Sequence, residues 1–483
     1  MIDVPLLIGK RETPSSGGFT FERKNPITGE IVSRAAAATA SDARAAVDAA
    51  AAVFPAWSAI GPTERRAKLL LAAELLEKRE AEFSSRMMAE LGATAEWGFF
   101  NVHLAAQILR EAAAITTQVK GEVIPSDVPG SLSLAVRQPV GVILSIAPWN
   151  APVILAVRSI AVPLACGNTV VFKGSEMCPA THHLIGKVLH EAGLGDGIVN
   201  VVTHAPQDAA EIVRVMIAHP RVKRINFTGS TRVGRIIAEL AAKQLKPAML
   251  ELGGKAPLLI LDDANLEDAI EAAAFGAFAN QGQVCMSTER ILVDAKVADS
   301  FVRGFEAKVR TLSCGDPRSS KVMLGSVADP SAVERVRRLL EDAVSRGAKL
   351  LLGGDSKGTV MPPVVLDHVT PEMTIFREES FGPLVSITRV ANDEEAIRLA
   401  NDTDYGLAAG VFSRDIARAL NVARQIESGI CHINGPTVHD EAQMPFGGVK
   451  GSGYGRFGSN ASIHEFTELR WITVQTAPRH YPS

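Results

Sequence analysis

Val142-Ile143-Leu144-Ser145-Ile146-Ala147-Pro148-Trp149-Asn150-Ala151-Pro152 reads as a buried strand that breaks at a Pro-Trp-Asn turn. A helix begins near Pro152, because proline suits the first helical turn. Strand, turn and helix in this order form the repeating unit of a parallel sheet. The unit recurs downstream: Thr169 to Lys173 is a second strand and Thr181 to Ala192 a second helix. Val199 to Val202 and Arg224 to Phe227 are two more strands, each followed by a helical stretch. The spacing predicts a doubly wound α/β sheet with ligands at the C-terminal ends of its strands.

The pattern restarts after Glu251. Strands are expected at Leu258 to Leu261, Arg290 to Val293, Leu384 to Val390, Gly410 to Phe412 and Ile430 to Ile433, giving a second α/β unit. Upstream, Asn25-Pro26-Ile27-Thr28-Gly29-Glu30 is turn chemistry between short β runs. Helices are expected over Ser41 to Pro55 with a serine cap, over Pro62 to Lys78, and continuously over Arg79 to Thr117. Ser131 to Arg137 alternates apolar and polar residues, as does the tail from Phe466 to Gln475. An apolar alternating tail invites pairing, either with 131–137 or with another subunit.

A chain of 483 residues exceeds one hydrophobic core, so two or three domains are expected. A formal charge of −3 gives no pull towards nucleic acid or an anionic membrane. Five scattered cysteines without ligand spacing indicate a reducing compartment and no metal site. No signal peptide is visible, and the most apolar stretch, Gly141 to Phe172, is broken by Pro148, Asn150, Pro152, Arg158 and Pro163. These features predict a cytoplasmic protein without a membrane segment.

Cys285 stands just past a glycine turn, Gln281-Gly282-Gln283-Val284, after the alanine-rich run from Ala269 to Ala279. A thiol there is expected to be half exposed, near backbone N–H groups, and partly ionised. With Glu251, from Glu251-Leu252-Gly253-Gly254-Lys255, and Asn150 it reads as nucleophile, general base and amide donor. Phe227-Thr228-Gly229-Ser230 leads into a helix whose free N–H groups suit a phosphate. Lys173-Gly174-Ser175-Glu176 sits where a ribose would be held, and the carboxylate would repel a 2′-phosphate. Glu378-Glu379-Ser380-Phe381 offers a carboxylate and an aromatic ring for a nicotinamide riboside.

These motifs, with Pro445-Phe446-Gly447-Gly448, stand in the order seen in aldehyde dehydrogenases, which the chain resembles from about residue 20 to 475. The resemblance implies a Rossmann-type NAD-binding domain (1–120 and 141–251) and an α/β catalytic domain (252–445). It also implies a small β oligomerisation element (121–140 and 464–483) and a connecting segment (446–463). Catalysis would fall to Cys285, Glu251 and Asn150. NAD would be held by Ile146, Pro148, Trp149, Lys173, Ser175, Glu176, Gly229, Ser230, Leu252, Glu379 and Phe381. The assembly would be a homo-oligomer, a dimer favoured over a tetramer.

Thr203-His204-Ala205-Pro206-Gln207-Asp208 departs from the glycine-rich loop of many members and resembles the branch that acts on salicylaldehyde and other aromatic aldehydes. Ala151, where relatives place a bulky aromatic, predicts a wide tunnel lined by Trp97, Phe100, Met286, Val438 and Phe446. Arg158 lies roughly two helical turns beyond Ala151 on nearly the same face. Either it forms a structural salt bridge, or its charge favours an ortho-hydroxyl or phenolate. The rival readings are an aliphatic or broad-specificity enzyme, a CoA-acylating dehydrogenase, which Glu251 argues against, and a non-catalytic cofactor-binding protein.

Overall fold

The strand Val142–Ile146 is buried along its whole length and lies inside an eight-stranded sheet of the computed structural model, which describes residues 1–479 and 481. Its parallel neighbours are Thr169–Lys173 on one side and Val222–Thr228 on the other. Val199–Val202 and Ala248–Glu251 extend the parallel set outward. The register aligns the strand ends: Lys173 lies beside Ile146, Ile146 beside Phe227, and Thr228 beside Glu251. One rim of the sheet therefore carries a row of candidate binding residues.

Helix Pro152–Ala165 is buried at every position. This explains why its sequence, Arg158 and Ser159 apart, is apolar on every face rather than on one stripe. It packs between the sheet and helix Ala95–Ala114, and each large apolar side chain so buried contributes about 1.5–3 kcal/mol.

The second sheet has seven strands, with Thr288–Asp294 at its centre between Leu384–Val390 and Ala256–Ile260. Ala408–Phe412 and Ile430–Ile433 complete one side, the latter as the edge. The tail strand Thr467–Gln475 pairs antiparallel with Ser131–Pro139 along its full length, as the alternation predicts. Glu122–Ile124 joins them in a separate three-stranded sheet. Residues 480, 482 and 483 of the expected oligomerisation element lie outside the described residues.

Several local expectations need correction. The first long helix spans Ala40–Ala59 and runs through Pro55. Its cap is Thr39 rather than Ser41, because Thr39 and Asp42 satisfy each other's backbone N–H groups in a capping box. The expected continuous helix after Arg79 is broken at Gly92, whose left-handed backbone ends helix Glu80–Leu91. The strands Val364–Asp367 and Lys349–Leu352 were not foreseen, since four-residue runs carry too little periodicity. The stretch 446–463 does more than connect: Gly453–Tyr454 pairs antiparallel with Ala248–Glu251. Among the described residues no helix is long and apolar enough to cross a membrane.

Candidate active site

Helix Leu266–Phe278 ends where the backbone turns left-handed at Asn280 (φ 48°), Gln281 (φ 57°) and Gly282 (φ 68°). Such a conformation costs roughly 1–3 kcal/mol at a non-glycine residue, so the surroundings must hold it. Asn280 Nδ2 donates to the Asn150 carbonyl at 2.9 Å. Ala328 N–H donates to Gln283 Oε1 at 2.9 Å, and Ser287 Oγ to the Gly282 carbonyl at 3.1 Å. At Gly282 the φ and the packing both demand glycine, because a Cβ would stand 2.1 Å from the Gly382 carbonyl oxygen. The turn delivers Cys285, half-buried, to the wall of a cavity.

Asn150 is held from three sides. Its Nδ2 donates to the Gln283 carbonyl at 3.0 Å, leaving the second N–H of that amide for another acceptor. Its own carbonyl accepts from Asn280 and from the Trp97 indole N–H, the latter at 2.9 Å. Glu251 ends the strand Ala248–Glu251, and the chain then passes hard against the nucleophile turn: a Cβ on Gly254 would lie 2.2 Å from the Cys285 carbonyl oxygen.

The electrostatics correct one expectation. Burial, then the facing Glu251 carboxylate, push the Cys285 thiol well above its ordinary value, against the pull of Arg158. The thiol is not ionised in advance. Burial likewise pushes Glu251 up to about 8, opposed by its hydrogen bond with Cys285 and by Arg158. One Glu251 oxygen, Oε1, is buried without a partner among the described residues.

A cavity of about 360 Å³ opens from this point, lined by Pro148, Trp149, Asn150, Gly229, Ser230, Glu251, Leu252, Cys285, Glu379 and Phe381. Leu155, Asp329, Ala332 and Arg335 close it and were missed from the sequence. Asp329, Ala332 and Arg335 recur every third residue at the start of helix Pro330–Ser345, the helical spacing that could have marked them. Arg335 donates to the carbonyls of Ser380 (2.8 Å) and Phe381 (3.3 Å), fixing the loop that carries Glu379. Glu379 accepts from the Gly254 N–H at 2.9 Å. Burial nevertheless raises its carboxyl to about 7.

Ile146, Lys173, Ser175 and Glu176 do not line that cavity. They lie further along the same sheet rim, where Lys173 Nζ stands 3.9 Å from Glu176. Burial lowers the Lys173 ammonium. For Glu176 burial works upward, but Lys173 and a backbone N–H outweigh it and the carboxyl falls. The Ser175 N–H donates to His182 Nδ1 at 2.9 Å.

Ala151, Met286, Val438 and Phe446 are buried in one apolar cluster, with Trp97 and Cys285 packed against it. Trp97 stacks on Phe100, centroids 5.3 Å apart, and Phe100 remains 38% exposed at the rim. Arg158 is not a free cation. Its guanidinium donates to Asp440 at 2.5 Å, both side chains nearly inaccessible, and lies 4.5 Å over the Phe446 ring.

The aldehyde dehydrogenase family profile matches residues 13–472. The chain belongs to this family. A vanillin dehydrogenase of Pseudomonas fluorescens is 63% identical over 482 residues, covering 100% of both chains. A salicylaldehyde dehydrogenase of Pseudomonas putida is 50% identical over 478 residues, 99% of each. The crystal structure of a salicylaldehyde dehydrogenase from Pseudomonas putida G7 complexed with salicylaldehyde superposes with a TM-score of 0.98 at 50% identity, covering 100% of each chain. In this aldehyde dehydrogenase the three candidate catalytic residues all line the cavity, though they come from three distant parts of the chain. Asp440 is the charged neighbour that the sequence reading overlooked.

Proposed function

We propose that this aldehyde dehydrogenase oxidises an aromatic aldehyde to its acid with NAD, vanillin and salicylaldehyde being the two candidate substrates. The observation that carries the reaction is the convergence of Cys285, Glu251 and Asn150 on one cavity. The aromatic class is supported by the activities of the relatives and by the small Ala151 beside the Trp97 wall.

The Cys285 sulfur, its proton passed to Glu251 or to water, bonds to the aldehyde carbon, and the carbonyl pair moves onto oxygen. The free Asn150 N–H and the Cys285 backbone N–H donate to that oxyanion. Loss of one such donor typically costs ~10²–10³ in rate. NAD, when bound, supplies the hydride acceptor, and a thioester on Cys285 results. Glu251 then takes a proton from water as its oxygen attacks the thioester carbon, the C–S bond breaks, and acid and thiolate separate.

The residues fit NAD. Gly253 leaves a cradle at Glu379, where a Cβ would stand 2.7 Å from Oε2. The N-terminus of helix Thr231–Lys243 carries Gly229 and Ser230 to the cavity wall, suiting a phosphate. Glu176 beside Lys173 favours a ribose hydroxyl over a 2′-phosphate. The domain division given above, and assembly through the small sheet into a homo-oligomer, belong to the same reading.

NADH formation with vanillin, salicylaldehyde, benzaldehyde and a short aliphatic aldehyde, beside Cys285→Ala, tests it. Aromatic turnover abolished in the variant is expected. A preference for the aliphatic substrate would discard the aromatic pocket, and activity surviving in the variant would remove Cys285 as nucleophile. An acyl-CoA product formed on adding CoA would favour the acylating rival.

A further inference from the structure

The Arg158–Asp440 pair is unusual because it is buried yet incompletely satisfied. Side-chain exposures are 6% and 8%. Asp440 Oδ2 accepts from Arg158, while Oδ1 is buried with no partner among the described residues. Arg158, with five N–H donors, makes that single hydrogen bond among the described residues. A buried carboxylate oxygen without a partner is costly unless something fills the need.

The pair's place makes that need specific. Arg158 follows Asn150 on helix Pro152–Ala165, and its charge acts on both Cys285 and Glu251. Asp440 also acts on Glu251. Phe446 lies beneath the guanidinium, in the same apolar cluster as Met286 and Val438. The polar pair, with a spare acceptor and spare donors, therefore lies against the same apolar cluster on which Cys285 packs.

Resting on the aromatic reading above, we propose that Asp440 Oδ1 accepts a hydrogen bond from a hydroxyl on the substrate ring, while Arg158 holds the carboxylate and donates to the same oxygen of that hydroxyl. A phenol supplies one donor and one acceptor and matches both groups. A methyl ether supplies only the acceptor and leaves Oδ1 unpaired; an unsubstituted ring leaves both. Asp440 is thus a specificity residue for hydroxylated benzaldehydes. Sites that hydrogen-bond a substrate hydroxyl discriminate strongly against analogues lacking it, by up to about 10⁴–10⁵-fold in favourable cases.

The experiment measures kcat/KM for 2-, 3- and 4-hydroxybenzaldehyde, each beside its methyl ether, in the wild type and in Asp440→Asn. Asparagine can still accept from Arg158 through its oxygen, but it turns an N–H towards the ring. One hydroxyl isomer should exceed its ether by about tenfold or more in the wild type. That ratio should collapse or invert in the variant, since an amide N–H prefers the ether oxygen. A ratio near one for all three isomers in the wild type overturns the proposal even if the variant does not fold. A high ratio unchanged in Asp440→Asn overturns it as well. Wild-type protein that oxidises aliphatic aldehydes but none of these six would instead bring down the aromatic reading, and this inference with it.

Discussion

At Glu251 two roles compete for one proton. Its carboxyl is pushed up to about 8 by burial, so below that pH it is mostly neutral and cannot accept a proton. The rate should therefore rise as pH climbs through about 8, since the ionised form is the base. In Glu251→Gln this limb should vanish, with turnover stalling after the thioester forms. A limb that persists in a kcat profile of the variant would assign the titration to another group. Cys285, Glu251 and Asn150 were legible in the sequence because each sits in a short motif whose neighbours suit its chemistry. Asp440 was not, because its partner is 282 positions away and nothing local ties a loop aspartate to a helix arginine. The ionisation of Cys285 was misjudged for a related reason. A glycine turn foretells N–H groups, but not the carboxylate folded against them.

At the scale of elements, the nucleophile turn and the cofactor loop are locked by one contact. Gly282, left-handed, packs a missing Cβ against the Gly382 carbonyl. Gly282→Ala must displace one of the two loops. A shift of about 1 Å at a reacting group can cost ~10²-fold, so kcat/KM should drop by that order with a raised KM for NAD. An unchanged KM for NAD would show that the cofactor loop does not feel the turn. Most elements here were readable from alternation and turn residues, including the tail strand and its partner. Those that escaped were short strands such as Val364–Asp367 and the cavity-facing start of helix Pro330–Ser345, whose roles depend on what lies across from them.

Across the whole molecule, the restart of the strand–helix pattern after Glu251 foretold two large sheets. It did not reveal that Gly453–Tyr454 would return to the first of them. The three-stranded tail sheet leaves Trp471 76% exposed and Leu469 61% exposed, with Ile472 and Val474 also open. We propose that apolar side chains in such number on one strand of this sheet serve as an association surface. Trp471→Glu should shift the protein towards smaller species in sedimentation velocity, while monomer-level folding by circular dichroism stays intact. An unaltered sedimentation coefficient would mean that this sheet holds no copies together.

The loop that bears Asp440 hangs from Ile430–Ile433, the outermost strand of its sheet, whereas Cys285 precedes the central strand Thr288–Asp294. Peripheral attachment leaves the loop, among the described residues, a single strong tether to the scaffold under the thiol, at Thr437, whose hydroxyl donates to the Met286 carbonyl at 2.6 Å and hydrogen-bonds the Thr288 hydroxyl at 2.8 Å. As long as that tether holds, the residues beyond it can be exchanged to suit a different ring while the thiol keeps its footing.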